Sequence, residues 1–144
     1  MSKIICLTAG HSNTDPGAVN GSDREADLAQ DMRNIVASIL RNDYGLTVRT
    51  DGEGKGNMPL RDAVKLIRGS DVAIEFHTNA AANKTAPDNA GQHSRLAYAQ
   101  AGGIVFEPFF ISNDTDLALF KTTKWGICRA IADAIAMELG AAKV

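Results

Sequence analysis

The sequence has two cysteines, four prolines, one tryptophan and no long apolar run. Each shortage excludes something. Cys6 lies in an apolar stretch and Cys128 in the last helical one, with no Cys-x-x-Cys spacing. Neither a disulfide scaffold nor a thiolate metal site can be built from them, and both read as buried thiols. No stretch approaches the ~20 apolar residues of a membrane-spanning helix, so stable membrane insertion is not expected. A net charge of −2 supplies no basic surface for nucleic acid. Met1-Ser2-Lys3 leads straight into the first apolar run, which leaves no secretory signal. The expectation is a chain made in a cytoplasm and not exported by the usual route.

What is present is an alternation of strand-like and helix-like segments. Lys3 to Thr8 is apolar throughout, as a strand covered on both faces should be. Ala9 to Gly21 is rich in turn residues. A helix is predicted from Ser22 to Arg41, because Leu28, Met32, Ile35 and Ile39 share one helical face. Leu46 to Arg49 reads as a short strand. Asp51 to Asn57, with three glycines in seven residues, reads as a mobile loop near the ligand-binding end. Met58 to Arg68 reads as a helix with Leu60, Val64 and Ile67 inward, and Asp71 to Phe76 as a strand. Thr78 to Gln92 is polar and aperiodic. A short helix is predicted over His93 to Gln100, a strand over Gly103 to Phe106, and a turn or two of helix over Asp114 to Phe120. A last helix carries Ile127, Ile131, Ile135 and Leu139. Such alternation predicts an α/β fold: a single domain over residues 1–144, its twisted, mostly parallel sheet covered by helices on both faces.

The chemistry sits at the strand ends. His11 ends the first apolar run, His77 the third, and Glu107 the run Gly103 to Phe106. In an open α/β sheet the carboxyl ends of parallel strands line one crevice, so these residues can converge. Glu25, at the head of the first helix, would face the same crevice. Two imidazoles and a carboxylate make a catalytic zinc set, with three protein ligands and one open position. Bound zinc lowers the pKa of its water to ~7 and polarises a carbonyl. Glu107 could move the proton from water to a leaving amine. Structural readings compete with these. Ser22-x-x-Glu25 has the form of a capping box. Glu75 shares a strand face with His77 and could hold the ring of His77 from behind, act as an alternative base or pair with a charge on a helix. His93 reads as an exposed loop or helix-start residue, and Phe106, Phe109 and Phe110 as core. Asn79 and Asn113 could hold substrate or satisfy loop backbone.

Four stretches together resemble the zinc-dependent N-acetylmuramoyl-L-alanine amidases, the family of bacterial cell-separation amidases and many phage endolysins. Ala9 to Ala18 is similar to that family's Gly-His loop with its downstream Asp-Pro-Gly-Ala. Glu25 stands at its metal glutamate. Leu60-Arg61 and Asp71 to Asn79 resemble its Leu-Arg helix and its strand ending His-x-Asn. Glu107 to Asn113 resembles its Glu-x-Gly-Phe-x-Ser-Asn segment. The resemblance implies zinc on His11, Glu25 and His77, Glu107 as acid-base, and substrate contacts from Asn79 and Asn113. It implies peptidoglycan as substrate and partner, cut at the amide between N-acetylmuramic acid and L-alanine. A monomeric phage or prophage endolysin, reaching the wall after release from the host cytoplasm, fits the resemblance. The sequence departs from the family at Ser12-Asn13, at Phe109, at Glu75 in place of a small residue, and in a short stretch between His77 and Glu107.

Two other readings are open. One is a different zinc peptidase or amide hydrolase, such as a carboxypeptidase. The other is a non-catalytic module holding an anion where the Gly10–Gly21 loop meets a helix N-terminus.

Overall fold

In the computed structural model of the chain, residues 2–80 and 97–144 are described. Strand β1 (Ile4–Ala9) is followed by a small antiparallel ribbon, β2 (Val19–Asn20) and β3 (Asp23–Arg24). Helix α1 (Glu25–Tyr44), strand β4 (Thr47–Thr50), helix α2 (Leu60–Ala63) and a 3-10 turn (Val64–Ile67) come next. Strand β5 (Val72–Phe76), helix α3 (Ala97–Gln100), strand β6 (Ile104–Phe106) and helix α4 (Asp114–Glu138) complete the order.

Among the described residues the main sheet has four strands, all parallel, in the order β4-β1-β5-β6. The chain leaves β1 for one neighbour, β4, and returns to pair its next strand, β5, on β1's other side. The winding direction therefore reverses between β1 and β5. Their carboxyl ends flank a topological switch point, where open α/β sheets bind ligands. This α/β architecture matches the expectation, and it fixes the strand order that alternation could not supply.

Strand alternation divides the sheet into two cores. Ile5, Leu7, Ala9, Ile74 and Phe76 face α1 and α4, where they meet Leu28, Met32, Ile35 and Ile39. Cys6, Ala73 and Val105 face the other way, toward Tyr98 of α3 and Val64, Leu66 and Ile67. Both cysteines are buried and free.

Several boundaries differ from the sequence reading. Helix α1 begins at Glu25 because the ribbon takes the residues before it, with Gly21 turning at φ 61°. Arg24 is its N-cap residue, with no side-chain cap bond. No capping box forms, since Glu25 is the first helical residue and not the third. The predicted helix from Met58 splits into α2 and the 3-10 turn. In 3-10 geometry residues i and i+3 eclipse, which sets Val64 and Ile67 together against the sheet. Leu60 is half exposed and does not join that inner face. The expected turn over Asp114 to Phe120 and the last helix are one continuous helix, whose Asn113 side chain accepts from the Asp116 N–H at 3.0 Å. Of the predicted His93 to Gln100 helix, Ala97–Gln100 is described; His93 lies outside the described residues, as does most of the polar stretch after Ala80.

The glycine-rich loop Asp51 to Asn57 lacks apolar anchors but has polar ones. Arg33, fully buried on α1, pairs with the equally buried Asp51 at 2.9 Å. Arg33 and Asn34 also donate to the Gly54 carbonyl. Asp51 in turn accepts from the Ala9 N–H at the end of β1. Removing one member of a buried ion pair leaves an uncompensated charge, which costs about 3–5 kcal/mol. Asp51→Ala is therefore expected to lower the urea unfolding midpoint by a corresponding amount. An unchanged midpoint would show that the pair does not hold the loop.

Candidate metal centre and active site

The site begins where β1 stops. Gly10 donates its N–H to the Phe76 carbonyl at 2.8 Å, which carries the β1–β5 ladder one residue further. Its lack of a side chain is required: a Cβ here would lie 2.3 Å from the His77 ring. His11 then takes φ 63°, the left-handed region that non-glycine residues seldom adopt outside tight turns and functional sites. Asn57 Nδ2 donates to the His11 carbonyl at 2.7 Å and braces that conformation from the anchored loop. The chain turns through Ser12, whose Oγ accepts from the Asp15 N–H. It then docks on the head of α1, where Ala18 and Pro16 carbonyls accept from the Glu25 and Ala26 N–H groups. Gly17, at φ 68°, passes so close that a Cβ would meet both His11 and the Glu25 carboxylate.

Glu25 is the centre of the arrangement. It is 5 % exposed. One carboxylate oxygen, Oε1, accepts from His77 Nδ1 at 3.0 Å and from the Thr78 N–H at 3.0 Å. The other, Oε2, lies 3.2 Å from His11 Nε2 and accepts from the Ala18 N–H at 3.0 Å. Burial alone would raise its pKa. The bonds from His11, His77 and Ala18 outweigh burial and hold the carboxyl well below the ordinary range. Burial likewise opposes protonation of His77, but Glu25 and Glu75 push it up to about 9. His11 is raised as well, chiefly by its bond to Glu25.

One ligand atom from each of His11, Glu25 and His77 lies within 4.8 Å of the others. Two nitrogens and one oxygen at that spacing suit a zinc ion with an open fourth position. The three residues expected to converge do so, from β1's end, α1's head and β5's end.

Glu75 is buried beneath them, its Oε1 2.7 Å from His77 Nε2 and its Oε2 accepting from Thr8 Oγ1 at 3.3 Å. A cavity of about 400 Å³ opens at the histidines. His11, His77, Glu75 and Asp15 stand on one side, and Met58, Pro59 and Leu60 form an apolar wall. Leu60, exposed in the fold, belongs to this wall.

Glu107 follows the last residue of β6, and its strand pairs with β5 so that Phe106 lies opposite Phe76. The His77 N–H donates to the Phe106 carbonyl at 3.0 Å. Glu107 thus stands at the strand end adjoining His77, half-buried, and is not among the residues lining the cavity. Both asparagines serve backbone: Asn79 Oδ1 accepts from the Ala80 N–H at 2.8 Å, and Asn113 caps α4. Of the phenylalanines, Phe109 stacks on Phe120 in the main core, while Phe106 remains over a third exposed.

Sequence reasoning missed three supports: Asp15, Asn57 and the Arg33–Asp51 pair. Asp15 was visible as part of a turn, since a residue four after a histidine in a tight loop can fold back on it. Its Oδ2 lies 3.1 Å from His11 Nδ1. Asn57 and Arg33 carried no local signal, because Asn57's partner is 46 residues away and Arg33's partners Asp51 and Gly54 are 18 and 21 residues away.

Comparison with known proteins agrees with this geometry. The family description "N-acetylmuramoyl-L-alanine amidase" matches residues 5–100. The chain is 78% identical to the protein assigned as N-acetylmuramoyl-L-alanine amidase in Neisseria meningitidis, covering 99% of this chain and 98% of that one, with a TM-score of 0.90. The catalytic domain of CwlV, an N-acetylmuramoyl-L-alanine amidase from Bacillus (Paenibacillus) polymyxa var. colistinus, shares the fold at 19% identity. It covers 96% of this chain and 98% of that one, with a TM-score of 0.74. The catalytic domain of the CD27L endolysin, which targets Clostridia difficile, shares it at 20% identity, 88% and 92% coverage and a TM-score of 0.64. No curated protein matches the chain significantly. With the family match spanning most of the sequence, the chain belongs to the N-acetylmuramoyl-L-alanine amidases, enzymes that cleave an amide of peptidoglycan.

Proposed function

We propose that the protein is a zinc-dependent amidase that hydrolyses the bond between the lactyl group of N-acetylmuramic acid and L-alanine. The observation that carries this reading is the bridging of two histidines by one buried carboxylate at the switch point of the sheet. His11, Glu25 and His77 would hold the metal. Zinc at such a site supplies an activated water and polarises the scissile carbonyl. Glu107 is assigned the proton transfer, accepting from the attacking water and donating to the departing amine. Its support is its place at the strand end beside His77. Glu75 is not the base in this reading, because both its oxygens are engaged by His77 and Thr8. Asn79 and Asn113 border the same end of the sheet, and any contact they make with substrate is additional to their backbone bonds. Among the described residues no helix is long and apolar enough to cross a membrane. An endolysin setting, with monomeric enzyme made in a host cytoplasm and acting on the wall after release, is part of the proposal and rests on the family resemblance.

Metal and turnover should separate by residue. His77→Ala and Glu25→Gln are expected to lose tight zinc and activity together, measured by metal analysis and by release of peptide from purified peptidoglycan. Retained zinc in Glu25→Gln would return that residue to a structural role. Glu107→Gln is expected to keep zinc and fold while turnover drops by roughly 10²–10⁴-fold. Wall digestion at the unmodified rate by that variant would place the proton transfer elsewhere.

The shifted groups also predict how the metal-free protein responds to pH. His77's contribution to stability is complete below its ordinary pKa of 6.5 and is lost as pH rises through about 9. Glu25, depressed from 4.5, contributes above that value and loses its contribution as pH falls. Metal-free protein is therefore expected to be most stable between these ordinary values and to weaken toward alkaline pH. Zinc ligation needs neutral imidazole, so zinc should remove the alkaline decline. Melting temperatures taken with chelator and with zinc test this, and parallel curves from pH 6 to 10 would count against the site.

A further inference from the structure

We propose that Glu75 and Asp15 are positioning residues that fix the two histidines in opposite tautomers, so that His77 presents Nδ1 and His11 presents Nε2 to the metal. The inference rests on the zinc reading above and goes beyond it.

Each imidazole touches two carboxylates, one on each ring nitrogen. His77 has Nδ1 3.0 Å from Glu25 and Nε2 2.7 Å from Glu75. His11 has Nε2 3.2 Å from Glu25 and Nδ1 3.1 Å from Asp15. Glu25 is common to both rings, so the nitrogens facing it are those that can reach a shared metal. The outer nitrogens must then carry the protons, because an ionised carboxylate only accepts. Turning the His77 ring over would set carbon against both Glu25 and Glu75 and lose both bonds. The close approach of Gly10 leaves no room for a compensating shift.

The two outer carboxylates are unequal. Glu75 is buried, and its second oxygen accepts from Thr8 Oγ1, itself fully buried. The chain His77–Glu75–Thr8 therefore runs from the ring into the buried sheet. Among the described residues, Asp15's other oxygen accepts from the Gly17 N–H at 3.2 Å, and its side chain is 67% exposed. Water and salt compete with it. Glu75 should therefore govern metal affinity more strongly than Asp15.

The test uses the full chain and zinc alone. Chelator competition gives the zinc dissociation constant, and ring ¹⁵N resonances give the tautomer of each histidine in the zinc-loaded protein. Glu75→Ala is expected to weaken zinc by roughly 10–100-fold, the range for lost partners of ligating histidines. Asp15→Ala, which likewise removes the acceptor, is expected to weaken it less. Glu75→Gln, which keeps an oxygen to accept from Nε2–H, should restore most of the loss. The unmodified protein is expected to show His77 protonated on Nε2 and His11 on Nδ1. Unchanged zinc affinity in Glu75→Ala overturns the proposal. A zinc-loaded His77 carrying its proton on Nδ1 overturns it too, even if Glu75→Ala does not fold. Failure of the unmodified chain to take up zinc would instead refute the metal assignment itself.

Discussion

Everything at the site depends on one carboxylate that is buried and ionised. Glu25 can stay ionised away from water because His11, His77 and two backbone N–H groups all point at it. It therefore locks together three pieces of chain that strand pairing and backbone docking bring close: the loop after β1, the head of α1 and the end of β5. A neutral side chain of the same shape could fill the volume, but it would leave four donors without a charge to face. A cation brought to this cluster meets ligands already gathered by the protons it displaces.

The topology makes that gathering possible. The winding reverses between β1 and β5, which leaves a crevice between their carboxyl ends. The sheet register then sets the next strand end, with Glu107, alongside. The apolar wall of Met58, Pro59 and Leu60 closes one flank of the cavity. A substrate amide laid across the strand ends would meet charged groups below and hydrocarbon at one side.

How much of this could be read from the sequence differed with the range of the interaction. The strands and the faces of α1 were legible because their periodicity is local: Leu28, Met32, Ile35 and Ile39 are all buried, as their spacing implied. The convergence of His11, Glu25 and His77 was legible because each ends or begins a regular element. The start of α1 was not, since Ser22 and Glu25 have the spacing of a capping box and only ribbon pairing at residues 19–24 rules it out. The splitting of the second helix and the fusion of the last two depend on packing against the sheet, which no window of sequence contains. The loop Asp51 to Asn57 looked mobile because glycine gives no anchor. Its anchors are Arg33 and Asn34, a helix away.

The Arg33–Asp51 pair has a further consequence. Asp51 binds the Ala9 N–H, and Asn57 of the same loop binds the His11 carbonyl. The strained histidine is thus held at both flanks by polar groups rooted in the main core. Many enzymes carry their catalytic groups on segments that open independently of the rest. Here the segment bearing His11 cannot open without breaking bonds to Asp51, the buried partner of Arg33, and to Asn57, so it is tied to the cooperative unit of the sheet. The metal-binding loop would then resist proteases and hydrogen exchange almost as long as the core does, and heat would remove the site and the fold in a single step.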